Sequence, residues 1–219
     1  MVLASHAPDP QAAELHLEHS NAKSIPALDA ESKADVGDFL VVSPYISQPH
    51  LLDLRPLQES QKLLARALTV LDPVRVDYAT APYHQTFNWN DVVNRLKFLN
   101  GEAGHAWTRQ HFYIVVFRSR VPPTTYRVEL GELDQKSHVE ATKSGGLLKY
   151  WFGMPDENGR NLATCIWRKH EDARPASVGP GHKAAMRATI SMYSEWKIEQ
   201  LKFVIEDDVS NWYIQQWED

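Results

Sequence analysis

The sequence has little of what several protein classes require. Its 219 residues include one cysteine, Cys165, which excludes an intramolecular disulfide and a cysteine-based zinc cluster. The formal charge of −5 leaves no basic surplus of the kind that nucleic-acid-binding proteins carry. No apolar run approaches the roughly 18 residues of a membrane span. Neither a signal peptide nor an arginine-rich presequence is recognisable at the N-terminus, so a cytoplasmic protein is expected.

Signatures of covalent and nucleotide-dependent catalysis are also missing. The chain has no Gly-x-Ser-x-Gly nucleophile turn, no phosphate-binding loop and no dinucleotide fingerprint. Among the ten histidines, only His16 and His19 imitate metal-ligand spacing with neighbouring acids, and they lie in a polar N-terminal stretch. We therefore predict that the protein uses neither a cofactor nor a metal ion.

Aromatic side chains, by contrast, make up 10% of the chain and indicate large packing surfaces or a stacking pocket. None occurs before Phe39, and residues 1–38 are too polar to bury a core. The sequence thus predicts a flexible tail followed by one α+β domain over residues 39–219. In its N-terminal extension, residues 39–111, we expect helices at 56–71 and 88–99 and a strand at 74–80.

Residues 112–206 alternate strand and helix patterns between clear turn signals. Their order is β-α-β-β-α-β, which is the ferredoxin-like unit, and residues 207–219 are expected to pack back onto it. The predicted fold is an antiparallel sheet with both helices on one face. Its predicted strands are 112–118, 147–153, 162–168 and 201–206, and its predicted helices are 127–143 and 182–197.

The two faces of the predicted sheet differ, because side chains alternate along each strand. One face is apolar throughout, includes Leu148 and Cys165, and would be covered by the helices; a thiol there stays protonated and inert. The other, which we call the mixed face, combines apolar side chains with three cations and a hydroxyl. Its residues are Phe112, Ile114, Val116, Arg118, Lys149, Trp151, Thr164, Ile166 and Arg168. Both faces are too apolar to be open to water. The mixed face must therefore be covered by the N-terminal extension, a second subunit or a ligand.

The segment 161–196 resembles the dimeric α/β-barrel superfamily, in which two ferredoxin-like sheets close around a small-molecule cavity. In this segment a strand ends in Trp167, and a loop leads to a helix that opens with His182. This resemblance implies a homodimer.

A more specific resemblance extends from about residue 39 to the end of the chain. The residues that carry it are 77–83, 87–89, 112–118, 145–153, 161–167 and 192–196. They are similar to an ascomycete fungal family of unknown function. The resemblance implies a fungal, intracellular protein, and members in biosynthetic gene clusters would act on natural products.

The mixed face supplies the candidate site. We predict Arg118, Lys149 and His182 as catalytic groups that hold an anionic or carbonyl-bearing ligand or transfer a proton. Each also has a structural interpretation, as a strand-end charge or a loop histidine bonded to backbone. His138, on the first helix of the unit, could approach the rim of the pocket, but it is interpreted as a solvent-exposed position. The predicted substrate-binding residues are Val116, Trp151, Thr164, Arg168 and Tyr193, and Tyr193 also suits a core position.

Three functions fit this sequence. The first is a cofactor-free enzyme acting on an apolar terpenoid or polyketide with a carbonyl or carboxylate, by cyclisation, a Diels–Alder-type step or isomerisation. The second is a cofactor-independent monooxygenase, which would consume oxygen. The third is a non-catalytic small-molecule-binding protein, which would return its ligand unchanged.

Overall fold

The chain before the main sheet forms a layer of its own, which we call the N-terminal layer, residues 35–109. The computed structural model describes residues 35–123 and 127–218. The predicted tail therefore lies almost wholly outside the described residues, although its last residues begin a small three-stranded sheet. The elements of the layer are β1 (Asp35–Val36), β2 (Phe39–Leu40), β3 (Leu52–Asp53), α1 (Glu59–Ala67), α2 (Trp89–Glu102) and short 3-10 turns at Leu68–Val70 and Tyr83–Gln85.

The rest of the chain has the predicted β-α-β-β-α-β order, with one added helix and one added strand. The elements are β4 (Gln110–Arg120), α3 (Arg127–Lys143), β5 (Leu147–Phe152), β6 (Arg160–Trp167), α4 (His170–Ser177), α5 (Pro180–Met192), β7 (Glu195–Ile205) and β8 (Trp212–Gln216). All neighbouring strands of this sheet are antiparallel, in the order β5-β6-β4-β7-β8. The first four of these have the ferredoxin-like arrangement, so the predicted fold class is confirmed. In the described ranges no helix has the length and apolar character needed to cross a bilayer.

The N-terminal layer covers the mixed face of the sheet, which is the first of the three covers considered above. In α2, Trp89, Val92, Val93 and Leu96 recur on one side at helical spacing and are buried. They join the strand residues Ile114 and Val116 in one large apolar core. A second copy cannot pack onto this face as in a closed barrel of two sheets, because the face is already occupied.

Arg118 fastens the layer to the sheet. Its Nε donates to Glu199 Oε1 at 2.7 Å, and its two terminal nitrogens donate to the carbonyls of Tyr78, Ala79 and Ala81. The side chain of Arg118 is only 16% exposed. Its guanidinium is thus engaged by the fold, beside an open surface cavity that Arg118 lines together with Arg160, Trp196 and Lys197.

The same contact explains why the predicted strand at 74–80 is wrong. A guanidinium can bind three carbonyls of one short segment only when that segment curls around it. Residues 76–81 accordingly form turns, and pairing here is limited to one bridge between Pro73 and Phe87.

Three further local predictions need correction. The predicted helix 182–197 ends at Met192, because Glu195 already pairs with Arg120 and β7 follows β4 along its whole length. Helix α4 was not predicted, since it is short and contains Pro175. The strand register shifts between Leu147 and Lys149, and the side chain of Leu148 therefore points to the core under the N-terminal layer. Strict alternation predicts Leu148 on the helix-covered face, and this prediction is wrong.

We expect the substitution Arg118→Met to lower the free energy of unfolding by about 3–5 kcal/mol, because Glu199 and three carbonyls would lose a buried charged partner. Urea unfolding followed by tryptophan fluorescence measures this loss. The matched control is Arg75→Met, which removes an exposed ion pair with Asp77 and should change stability little. Equal stability of the Arg118 variant and the wild type would contradict the fastening role.

Candidate functional site

The inner side of α3 is polar where it faces the sheet. Asp134, Ser137, His138 and Ala141 follow one another at the spacing of a single helix stripe. Ser137, His138 and Ala141 are buried, and His138 is only 4% exposed. The interpretation of His138 as a solvent-exposed position is therefore wrong. A helix that covers a sheet usually buries aliphatic side chains, so a stripe with a carboxyl and an imidazole indicates chemistry rather than packing.

Asp134 binds two phenols. Tyr45 donates to its Oδ2 at 2.5 Å, and Tyr150 donates to its Oδ1. Burial raises the pKa of Asp134, against the opposing effects of the two phenols and of the nearby imidazoles of His182 and His50. The pKa values of both phenols are raised as well, chiefly by burial. The carboxyl group thus keeps its proton to a higher pH than an exposed aspartate and is held in one orientation.

Two imidazoles complete this group. Nδ1 of His50 and Nδ1 of His138 lie 2.9 Å apart, so one ring donates and the other must accept. Burial lowers the pKa of His138 to about 3, with further lowering by His50 and His182, and the ring is neutral. Its Nε2 is buried and has no hydrogen-bond partner in residues 35–123 and 127–218. We call Tyr45, His50, Asp134, His138 and Tyr150 the polar cluster.

A trough of small side chains extends from the polar cluster along the sheet. The register places Cys165 between Tyr150 and Val115, and Ala163 between Phe152 and Phe117. Small residues on β6 are thus flanked by larger ones on the neighbouring strands β5 and β4. Tyr193, at the end of α5, lies against Phe117 with 5.5 Å between ring centroids.

The floor of the trough is formed by partly buried side chains. Burial raises the pKa of Cys165 to about 12, so its thiol is protonated and not nucleophilic. Yet Ala163 and Cys165, in the middle of β6, both retain some accessible surface. The described part of the chain has no group of three or more His, Cys, Asp or Glu side chains that could hold a metal ion.

The structure does not bring the sequence-predicted site residues together. Val116 lies in the core beneath the N-terminal layer, with Trp151 packed at its edge. Thr164 is buried there too; it donates to the carbonyl of Val115 and accepts from the hydroxyl of Tyr83. A ligand pocket on this part of the mixed face would need space that these contacts already fill.

The predicted cations are dispersed as well. Arg168 forms a bidentate pair with Asp172 in the first turn of α4. Lys149 lies on the mixed face, where burial lowers its pKa to about 8 and Asp72 is the nearby opposite charge. Arg118, Lys149 and Arg168 thus each have a different partner within the protein, and these three residues do not form one anion-binding site.

Two of the predicted residues, His182 and Tyr193, do lie on the helix side near the polar cluster. Glu140 of α3 accepts the backbone N–H groups of Gly181 and His182, which caps α5, and its carboxylate is 3.3 Å from His182 Nδ1. His182 also contributes to the electrostatics of Asp134. It therefore belongs to the surroundings of the cluster, with its ring turned to Glu140.

Comparison with known proteins identifies the family. Residues 41–216 match the profile of the PB2B2.08-like family. Over 192 residues the chain is 38% identical to the UPF0643 protein PB2B2.08 of Schizosaccharomyces pombe, a match that covers 83% of this chain and 86% of that protein. The chain belongs to the PB2B2.08-like family, which confirms the fungal resemblance.

Solved structures with some similarity share only part of the chain. SnoaB, a cofactor-independent oxygenase from Streptomyces nogalater, is 15% identical with a TM-score of 0.34, over 41% of this chain and 91% of that one. Rv0793 from Mycobacterium tuberculosis is 12% identical with a TM-score of 0.37, over 41% and 92%. The fold assignment rests on the strand order described above.

The buried neutral His138 makes stability depend on pH. Its folded pKa of about 3 lies below the ordinary value of 6.5, so acid favours the unfolded chain once the pH falls below 6.5. Between pH 7 and pH 5 we expect the wild type to lose about 2 kcal/mol more unfolding free energy than the variant His138→Gln. Urea titrations at the two pH values measure the difference. His84→Gln, at an exposed position, is the control and should behave as wild type; a His138 variant that loses as much as wild type would contradict a neutral ring.

Proposed function

We propose that this member of the PB2B2.08-like family is a cofactor-free enzyme that transfers a proton on an apolar small molecule with an oxygen function, as in an isomerisation or a cyclisation. The observation that carries the proposal is the buried, unpartnered Nε2 of His138 beside the carboxyl group of Asp134. An acid–base group and an open hydrogen-bonding position are what such a reaction requires.

Asp134 is the acid–base group in this proposal. A carboxyl whose pKa is raised by burial can give up and regain a proton nearer to neutral pH than an exposed one. The phenols of Tyr45 and Tyr150 fix both oxygens, so the proton is delivered in a defined direction. In the reaction, the carboxylate of Asp134 removes a proton from the carbon next to a carbonyl, which leaves an enolate, and the resulting acid returns the proton to that carbon or to the γ-carbon of a conjugated dienolate.

His138 holds the carbonyl oxygen. If its Nδ1 accepts from His50, its Nε2 carries the proton and can donate to an oxygen on which negative charge develops. Its low pKa keeps the ring a neutral donor, so it does not surrender the proton to the enolate.

The trough receives the apolar body of the substrate. Its floor of Ala163 and Cys165 and its walls of Tyr150, Phe152 and Phe117 present no charge. An apolar surface with a few polar groups at one end is typical of small-molecule sites. It also supports a terpenoid or polyketide as the class of substrate.

Proton transfer to carbon can be tested with a simple enolisable ketone. We expect the protein to accelerate deuterium incorporation from D₂O at the α-carbons of 2-tetralone, followed by proton NMR. The variant Asp134→Asn should lower the catalysed rate by roughly 10²–10⁴-fold, because the acid–base group is lost. The matched control Glu157→Gln alters an exposed carboxylate in the β5–β6 turn and should retain the wild-type rate.

The outcomes separate the three functions. A folded Asp134 variant that exchanges as fast as the wild type would contradict the assignment of the base. Consumption of dissolved oxygen with the same ketone would favour a cofactor-independent monooxygenase. Saturable binding of 2-tetralone without exchange above the buffer rate would favour a non-catalytic binding protein.

A further inference from the structure

Residues 43–51 leave the N-terminal layer, pass the edge of the sheet and return; we call this segment the strap. At its start the carbonyl of Val42 accepts the N–H of Tyr150 on the edge strand β5. At its end Leu51 and Leu52 are buried again. The strap therefore connects two anchored points and crosses from the mixed-face side to the helix side of the sheet.

Two side chains of the strap account for its described contacts with the helix side. Tyr45 donates a hydrogen bond to Asp134, and Nδ1 of His50 lies 2.9 Å from Nδ1 of His138. Between them the chain is open to solvent: residues 47–49 are exposed, and Ile46 is 75% exposed. A segment with so few buried contacts opens locally at much lower cost than the strands beneath it.

These two side chains contact the two groups of the polar cluster that the proposed function assigns to the ligand, Asp134 and His138. The phenol of Tyr45 occupies one oxygen of Asp134, and its ring lies 6.4 Å from that of Phe152, at the wall of the trough. Nδ1 of His50 lies 2.9 Å from Nδ1 of His138, which Thr142 Oγ1 also approaches to 3.3 Å. Moving the strap would uncover both groups together.

We propose that the strap is a lid over the polar cluster, which opens to admit a ligand to the trough and closes through Tyr45 and His50. The proposal rests on the proposed function for the location of the site. On opening, the two hydrogen bonds of the lid pass to water or to the ligand. On closing, Nδ1 of His50 returns to hydrogen-bonding distance of Nδ1 of His138.

The single cysteine of the chain reports on this opening. Cys165 lies on the floor of the trough, and Tyr45 packs in the same apolar cluster. We expect its reaction with 5,5′-dithiobis(2-nitrobenzoate) in the full-length wild type to be slow. In the double variant Tyr45→Phe, His50→Ala it should be roughly 10- to 100-fold faster, because two net hydrogen bonds that hold the lid are lost. The matched control is Ser47→Ala, at an exposed position of the same strap, which should react as wild type does.

A second measurement covers the case in which the double variant fails to fold. In the wild type, peptides from the strap should exchange amide hydrogens faster than peptides from β6 under conditions far from global unfolding. Equal labelling of Cys165 in wild type and folded double variant, or strap exchange as slow as that of β6, would overturn the lid. Neither readout involves turnover of 2-tetralone, so a failed lid and a failed catalytic function are told apart.

Discussion

The guanidinium of Arg118 joins the two layers of this protein, and the rest of the architecture depends on that junction. A sheet that is apolar on both faces cannot leave either open to water. The helices cover one face, and the contact of Arg118 with three carbonyls and Glu199 holds the N-terminal layer over the other. The chain thereby supplies for itself the cover that a second subunit gives in a dimeric barrel. A homodimer would have to use another surface.

The N-terminal layer also contributes two residues to the candidate site on the opposite face. Because the N-terminal layer is fixed along β5, residues 43–51 can pass the sheet edge and bring Tyr45 and His50 to the helix side. The receiving helix buries Ser137 and His138, with Asp134 partly buried beside them, where leucines would pack better. Buried polar groups cost stability unless they are fully bonded, and proteins retain such exceptions chiefly where function requires them.

The sequence predicted the ferredoxin-like unit because its turns and alternating strands are local signals. The prediction of local structure failed where contacts between distant residues determine the conformation. Residues 76–81 form turns around Arg118, and β7 begins at Glu195 because it pairs with the whole of β4. The site was harder to predict. The positions of Asp134 and His138 on one side of a helix follow from their spacing in the sequence. Their contacts with Tyr45 and His50, which lie about 90 residues away in the chain, do not.

A cation on a sheet face can bind either a ligand or the protein itself, and strand alternation does not distinguish the two. The partners do. On the mixed face, the donors of Arg118 and the hydroxyl of Thr164 are bonded within the protein, and the buried stem of Lys149 brings its ammonium toward Asp72. Trp107 Nε1 has no partner within the described residues, yet it stands in an apolar core. His138 Nε2 is the case in which an unsatisfied atom lies on the same helix stripe as an ionisable carboxyl whose pKa is raised by burial. That coincidence is the reason for placing the candidate site on the helix-covered face, which has unmet hydrogen-bonding capacity, and not on the face with the most charge.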